Sequence, residues 1–402
     1  MTASEERPLI AHVVYRFDIG GLENGVVNLL NRMPSERFRH AVVALTDVTE
    51  FRSRVARDDV EFVSLHKTPG HGVKLLPRIL RLFRRMRPTI VHTRNLAALE
   101  TSAGAWFARV PIRIHGEHGR DVGDLDGSNR KYRVVRRAYR PFVTHYVALS
   151  RDLERYLTAA VGVPPSRITR IINGVDTDAF HPAPVRKPPA AWPFDGTASL
   201  VFGTVGRLQP VKNQTLLARA FVRLIEMAPD LRGSARLVIV GEGPLRSDIE
   251  RILEAGNATR LAWLAGSRDD VQDIMRSLDV FVLPSLAEGI SNTILEAMAS
   301  GLPVVAARVG GNAELVDDGA TGTLVPVADV EALARAMLAY ATDPGLVRRQ
   351  GTAGRARAES CFSLDAMVGQ YTALYERLVA PYREVARRCV DSGTSRAVSG
   401  SH

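Results

Sequence analysis

The sequence predicts an α/β protein of two units, each built on a parallel sheet with helices on both faces. In both halves of its 402 residues, short apolar runs alternate with amphipathic helical stretches, the order typical of such sheets. A proline-rich stretch at 181–189 separates the halves and suits a linker better than a helix or strand. The chain is also longer than one compact core usually requires, which favours two domains.

Apolar runs predict the strands, and periodic apolar positions predict the helices between them. Strands are expected at 10–15, 40–45, 89–92, 112–115, 146–149, 168–172, 200–206, 237–241, 262–265, 280–283 and 303–307. Helices are expected at 22–32, 74–87, 130–140, 213–227, from 244, at 331–342 and at 363–388. We therefore expect an N-terminal domain at 1–180, a linker at 181–196, a second domain at 197–362, a C-terminal helix at 363–388 and a disordered tail at 389–402.

Composition indicates a globular protein of the cytoplasm. Apolar residues make up 46% and charged residues 24% of the chain, which is ordinary for soluble domains. No apolar run approaches the roughly 20 residues of a membrane-spanning helix, and the polar N-terminus does not resemble a signal peptide. The two cysteines have neither a disulfide pattern nor metal-ligand spacing.

Charge is distributed unevenly along the chain. Residues 1–180 carry the whole net charge of +10, with basic clusters in the predicted helices at 74–87 and 130–140. Basic amphipathic helices bind anionic membrane surfaces, although such stretches are also common as solvated helix faces. Nucleic acid is not an expected partner, because the basic stretches lack interleaved aromatic residues and no nucleic-acid-binding module is recognisable.

The segment at 284–303 places two carboxylates between predicted strands. Glu288 lies in a loop and Glu296 lies one turn into the following helix. A helix beginning near Asn292 offers free backbone N–H groups that suit a phosphate, and Gly289 permits close approach of a ligand. An alternative is structural, since Thr293 and Glu296 have the spacing of a capping box and Glu288 could be an ordinary loop carboxylate.

Three further segments follow predicted strands. Arg207 and Lys212, after Gly206, could grip a diphosphate or could be surface charges at a helix start. The turn at Gly20 and Gly21 could present backbone N–H groups to a phosphate. The glycine-flanked loop at 113–119 contains two histidines and a glutamate but lacks the H-E-x-x-H spacing, so a metal site there is disfavoured.

These motifs together resemble the retaining glycosyltransferases of family 4, group 1, which have the GT-B fold. The segment 284–303 resembles their E-x7-E signature, and the segment 206–212 resembles their donor-phosphate pair. Other matching positions are 20–23, His118, Ser150 and 173–176. The runs at 15–28 and 113–119 are similar to glycosyltransferases associated with exosortase (PEP-CTERM) exopolysaccharide synthesis. Leu286 and Ala287 depart from the family pattern before the first glutamate, which should change pocket shape more than chemistry.

The resemblance implies two Rossmann-like domains facing a cleft, with the C-terminal helix crossing back to the first domain. It also implies roles for residues on both sides of that cleft. Arg207 and Lys212 would hold the diphosphate, Glu296 the ribose and Glu288 the transferred sugar, with His118 near the reacting centre. The implied catalytic residues are His118, Glu288, Arg207 and Lys212. The implied donor-binding residues are Gly20, Gly21, Gly206, Arg207, Lys212, Glu288, Gly289, Ser291, Asn292, Thr293 and Glu296. The implied acceptor-side residues are Glu23 and Asn173.

The expected activity is retaining transfer of a sugar from a nucleotide-diphosphate sugar to a lipid-linked saccharide during exopolysaccharide synthesis. No metal or other cofactor is expected. The basic first domain would associate with the inner face of the cytoplasmic membrane. Two alternatives remain open on the sequence alone: a nucleotide-sugar epimerase on the same fold, and a binding protein that has lost catalysis.

Overall fold

A computed structural model describes residues 7–68, 72–119, 124, 127–183, 185, 187–194 and 200–397. Within these residues, two separate parallel sheets are each flanked by helices, as the alternating sequence pattern predicts. The N-terminal sheet has seven strands in the order β3-β2-β1-β4-β5-β6-β7. Its strands are β1 (Leu9–Val14), β2 (Arg39–Ala44), β3 (Val60–Ser64), β4 (Ile90–Arg94), β5 (Ile112–Glu117), β6 (His145–Ala148) and β7 (Ile168–Arg170).

The C-terminal sheet has six parallel strands in the order β10-β9-β8-β11-β12-β13. Its strands are β8 (Leu200–Val205), β9 (Ala235–Val240), β10 (Ala262–Gly266), β11 (Val280–Leu283), β12 (Val304–Ala307) and β13 (Gly322–Val325). Central strands such as β11 are buried along their whole length. This burial is expected because helices cover both faces of a parallel sheet.

Fourteen α-helices connect and cover the strands of the described chain. They are α1 (Gly21–Arg32), α2 (Leu76–Met86), α3 (Asn95–Leu99), α4 (Thr101–Phe107), α5 (Arg130–Tyr139), α6 (Arg151–Arg155), α7 (Gln214–Met227), α8 (Arg246–Ala255), α9 (Val271–Arg276), α10 (Asn292–Ala299), α11 (Asn312–Leu315), α12 (Val330–Thr342), α13 (Pro344–Cys361) and α14 (Leu364–Ala397). None of them has the length and apolar composition needed to cross a membrane.

The C-terminal helix α14 crosses back onto the N-terminal sheet, as expected. Its apolar stripe, which includes Leu374 and Tyr375, packs against Ile10, Ile90 and Ile112 in one buried cluster. The helix continues to Ala397, beyond the predicted end at 388, and the disorder expected from 389 onward stays a prediction. Among the side chains of α14 whose burial is described, the last buried one is Val379. Residues 398–402 lie outside the described chain.

The carboxyl ends of both sets of strands border the same cleft. The residues predicted to bind the donor follow β1, β8 and β11, and His118 follows β5. In open α/β sheets, ligands bind outside the carboxyl ends of the strands. The fold therefore brings together candidates that are far apart in the sequence.

Candidate functional site

Glu288 is fixed by two neighbours in the loop between β11 and α10. Its Oε1 atom accepts hydrogen bonds from Lys212 Nζ at 2.7 Å and from Ser285 Oγ at 2.6 Å. Only 8% of its side chain is exposed. The Leu286 amide also donates to the Val211 carbonyl at 2.8 Å, which joins the loop carrying Lys212 to that carrying Glu288. The structure thus brings these two predicted catalytic residues into direct contact.

Helix α10 begins at Asn292, and Ser291 is its N-cap. The Ser291 hydroxyl accepts a hydrogen bond from the Ile294 amide at 3.3 Å. The alternative capping box of Thr293 and Glu296 is therefore wrong, because the cap lies two residues earlier than Thr293. Burial raises the pKa of Glu296 to about 8. Its carboxyl group has no hydrogen bond or ion pair in the described chain, which leaves it available to a ligand.

The loop that carries Arg207 is shaped by glycines. Gly206 has a φ of 155°, a conformation that favours glycine. The Arg207 carbonyl accepts a hydrogen bond from Gln214 Nε2 at 3.0 Å, and the Leu208 amide donates to the Glu242 carbonyl at 2.9 Å. The turn at 241–243 therefore supports this loop, while the Arg207 side chain is exposed.

Residues from the N-terminal half close against α10. Asn173 Nδ2 donates to Asn292 Oδ1 at 2.8 Å. A methyl group added to Gly21 would lie 3.1 Å from Asn292 Nδ2, and one added to Gly289 would lie 2.7 Å from the His118 carbonyl oxygen. The predicted donor-binding residues of the two halves thus face each other across a narrow gap.

His118 follows directly after β5 and is held in a neutral state. Its amide donates to Asn95 Oδ1 at 2.8 Å. Burial, together with the nearby Arg94 charge, lowers the pKa of His118 to about 3. Its Nε2 atom is buried without a hydrogen-bond partner among the described residues. A neutral imidazole with one unused nitrogen can hydrogen-bond a sugar hydroxyl but cannot act as a cationic acid near neutral pH.

The rest of the 113–119 segment is structural. The strand continues to Glu117, two residues beyond its predicted end, so His115 and Glu117 lie inside the sheet. Glu117 forms a buried ion pair with Arg136 at 2.6 Å. Burial alone would raise the pKa of Glu117, but the Arg136 guanidinium lowers it to about 2. No group of metal-ligating side chains was found in the described ranges.

Glu23 lies at the first turn of α1, beside the Gly20 turn. A methyl group on Gly20 would lie 2.3 Å from Glu23 Oε2, so the carboxylate folds back over the start of its own helix. Burial raises the pKa of Glu23, while the charges of Arg94 and Arg207 favour its ionised form. The Glu23 carboxylate therefore interacts electrostatically with one cation from each side of the cleft.

Sequence reasoning missed three residues that build this site: Arg94, Asn95 and Ser285. Ser285 and Asn95 hold Glu288 and His118 by hydrogen bonds. Arg94 ends β4 and lines a small cavity beside His118 and Asn173. Their position at or just after the carboxyl ends of strands β4 and β11 was the available signal, since the carboxyl ends of parallel strands meet at the binding edge.

Comparisons with known proteins identify the family of this chain. A family model described as Glycosyltransferase Family 4 matches residues 19–179, and one described as Glycosyl transferases group 1 matches residues 199–343. The chain is 28% identical to an Escherichia coli UDP-Gal:alpha-D-GlcNAc-diphosphoundecaprenol alpha-1,3-galactosyltransferase, covering 85% of this chain and 90% of that protein. It is 29% identical to Bacillus subtilis EpsF, whose name describes it as a glycosyltransferase, covering 76% of this chain and 80% of that protein.

Structural comparison supports the same fold. Anabaena HepE in complex with UDP and glucose superposes with a TM-score of 0.76 at 19% identity, covering 92% of this chain and all of that one. The two family matches together span well over half of the sequence and include both sides of the cleft. The chain belongs to the group 1 glycosyltransferases of family 4 and has the GT-B fold.

Proposed function

We propose that this glycosyltransferase moves a sugar, with retention of configuration, from a nucleotide-diphosphate sugar to a lipid-linked saccharide in exopolysaccharide synthesis. The contact of Lys212 with Glu288, directly beside the start of α10, is the main support for donor binding. The Escherichia coli relative acts on a diphosphoundecaprenol-linked sugar by its name, which supports the acceptor class.

The donor site would stabilise charge on the departing diphosphate. Arg207 and Lys212 supply two cations, and α10 supplies the positive end of a helix dipole. As the bond from the anomeric carbon to the phosphate oxygen breaks, an acceptor hydroxyl oxygen bonds to that carbon from the same face. The hydroxyl proton passes to the leaving diphosphate, so the step needs neither a protein nucleophile nor a divalent metal. Glu288 and neutral His118 would orient the transferred sugar.

A transfer assay tests this proposal. A panel of nucleotide sugars is incubated with short-chain lipid diphosphate saccharides in the presence of EDTA, and NMR determines the anomeric configuration of the product. We expect a retained product, and a loss of about 100-fold or more in transfer for Arg207→Ala and Glu288→Gln. Arg251→Ala, an exposed change on α8, is the matched control. An altered nucleotide sugar formed without acceptor would instead indicate epimerisation.

We also propose that the N-terminal half binds the inner face of the cytoplasmic membrane along α2. Its exposed basic side chains form one stripe, and Arg87 and Arg109 line a cleft of about 710 Å³ at one end of it. Trp106 and Phe107 are exposed beside this cleft, by 47% and 49%. Basic residues next to exposed aromatic rings suit the headgroup region of an anionic bilayer.

Co-sedimentation with vesicles containing an anionic phospholipid tests the membrane proposal. Replacing Arg84, Arg87 and Arg109 with glutamine should weaken salt-sensitive binding by about tenfold or more. The control replaces three exposed arginines of the other half, at 335, 348 and 349, and removes the same charge. Equal losses in both triple variants would show that only the net charge matters.

A further inference from the structure

A buried row of hydrogen-bonding groups connects helix α14 to the candidate reacting centre. It starts at Arg94, which is 3% exposed and donates to the Tyr375 hydroxyl. The Tyr375 hydroxyl lies 2.8 Å from His92 Nδ1, and both of these residues are fully buried. His92 in turn lies near His118. Because the row is shielded from water, the direction of each hydrogen bond follows from the partners that the protein supplies.

The charge of Arg94 fixes the direction of this row. A guanidinium can only donate hydrogen bonds, so the Tyr375 oxygen accepts from Arg94. Burial raises the pKa of Tyr375, and its hydroxyl therefore keeps a proton that needs an acceptor of its own. The acceptor at hydrogen-bond distance in the described chain is His92 Nδ1. Burial lowers the pKa of His92 well below its usual value, so this neutral ring accepts at Nδ1 and carries its single proton on Nε2.

The same rule applies on the other side of Arg94. Its guanidinium donates to His12 Nδ1 at 3.1 Å, and His12 Nε2 lies 3.0 Å from His40 Nδ1. Burial lowers the pKa of His12 well below its usual value and keeps it neutral. His12 accepts at Nδ1 and therefore donates to His40 through Nε2. Arg94 thus places the proton on Nε2 in the histidines of two neighbouring strands, β1 and β4.

The rings of His92 and His118 meet over Gly116. A methyl group built on Gly116 would lie 3.2 Å from His92 Nε2 and 2.8 Å from His118 Nε2. Both nitrogens are buried without a hydrogen-bond partner among the described residues, and such atoms are rare. Because His92 carries its proton on Nε2, its complementary partner is an unprotonated His118 Nε2. One bridging water would preserve this order, since it would accept from the first nitrogen and donate to the second.

We propose that Tyr375 and His92 are positioning residues that hold the proton of His118 on Nδ1, so that His118 meets the substrate as a hydrogen-bond donor. This inference rests on the proposed function, in which His118 orients the transferred sugar, and adds the direction of that contact. In a neutral imidazole, the hydrogen bond made by one nitrogen sets which nitrogen carries the proton. An Nδ1–H group suits an oxygen lone pair of the sugar and cannot take the proton of the acceptor hydroxyl. His118 is therefore not the general base of the transfer.

NMR reads the protonated nitrogen of His118 directly and without any substrate. The full chain, with isotope-labelled histidine, is measured in long-range proton–nitrogen correlation spectra at neutral pH, and His92→Gln and His118→Gln assign the signals. Free neutral histidine prefers to carry its proton on Nε2, so we expect the opposite form, with the proton on Nδ1, for His118. Tyr375→Phe removes one oxygen atom and should return His118 toward the Nε2 form. A proton on His118 Nε2 in the natural chain, or an unchanged spectrum in Tyr375→Phe, would overturn the proposal.

Transfer kinetics test whether this proton placement matters for catalysis. Tyr375→Phe should lower kcat about 10-fold, as expected for one hydrogen bond lost from a buried network, and should leave the KM of the nucleotide sugar within about twofold. Tyr371→Phe is the matched control, because it removes the same atom one turn earlier on α14. The Tyr371 hydroxyl has no hydrogen bond among the residues described, so its loss should change neither the protonated nitrogen of His118 nor kcat.

The two readouts separate this inference from the proposed function. Equal losses of kcat in Tyr371→Phe and Tyr375→Phe would mean that only the packing of α14 matters and would contradict the role of Tyr375. If the natural chain transfers no sugar but the protonated nitrogen of His118 still depends on Tyr375, the proposed function fails while the hydrogen-bonded row stands.

Discussion

At the scale of single residues, the protonation of Glu296 ties stability to pH. Burial raises its pKa from the ordinary 4.5 to about 8. Between these values the folded carboxyl keeps a proton that the unfolded chain has released. The stabilisation of the folded state that comes from this bound proton is therefore complete below pH 4.5. It is lost as pH rises through about 8, by at most roughly 1.4 kcal/mol per pH unit.

Glu296→Gln should remove this pH dependence. Melting curves from pH 5 to 8.5 should show the natural chain losing stability relative to Glu296→Gln as pH rises. Glu254→Gln, at an exposed position of α8, should keep the natural profile. Parallel curves for the natural chain and Glu296→Gln would contradict the raised pKa. If Glu296 also accepts hydrogen bonds from ribose in its ionised form, donor affinity should increase toward pH 8, and this increase should vanish in the same variant.

Site residues that belong to a short sequence motif could be predicted, whereas site residues whose neighbours are distant in the sequence could not. Glu288, Arg207 and Lys212 stand in short segments whose spacing indicates phosphate binding, and the structure places Lys212 against Glu288. Arg94 ends strand β4 and belongs to no motif of recognisable spacing. Its surroundings come from α1 and from α14, which begins 270 residues later in the chain. No local spacing could indicate that convergence.

At the scale of elements, strongly periodic segments were predicted, whereas two of the four edge strands, β3 and β13, were missed. Helices α1, α2 and α5 begin or end within two residues of their expected bounds. Strand β3, at one edge of its sheet, is only partly buried, and its Glu61 is exposed. Strand β13 has four residues and starts with glycine. Edge strands bury less apolar surface than central ones, so their sequences carry a weaker pattern.

Helix α14 should divide into an essential and a dispensable part. Its apolar contacts with the N-terminal sheet include Tyr371 and Tyr375 and reach Val379. Ending the chain after Glu384 should therefore change the melting temperature by no more than about 2 °C, because no buried contact described for α14 is lost. Ending it after Gln370 removes two buried tyrosines and should destabilise the protein by several kcal/mol, roughly 3 or more. Similar melting temperatures for the two truncations would show that α14 does not anchor the fold.

At the scale of the whole molecule, charge and chemistry are divided between the halves. The N-terminal half carries the net charge of +10 and Arg94, and the C-terminal half carries Arg207, Lys212 and both glutamates of the signature. Transfer in this arrangement requires the halves to meet. Contacts that join them around the site include Asn173 with Asn292, Gly21 with Asn292, and Gly289 with the His118 backbone.

Gly289→Ala should impair this closure without unfolding either half. The added methyl would lie 2.7 Å from the His118 carbonyl oxygen and 2.8 Å from the Gly119 Cα, both backbone atoms that cannot move aside independently. A misplacement of about 1 Å at a reacting centre can cost about 100-fold in rate, so kcat should fall between 10- and 100-fold.

Gly369→Ala, in α14 with nothing near its added methyl, is the matched control and should retain full activity. Because the clash exists only when the halves meet, the melting temperature of Gly289→Ala without substrate should stay close to the control, and its donor should still bind Arg207 and Lys212. Full activity in Gly289→Ala would mean that transfer occurs with the halves farther apart than in this structure.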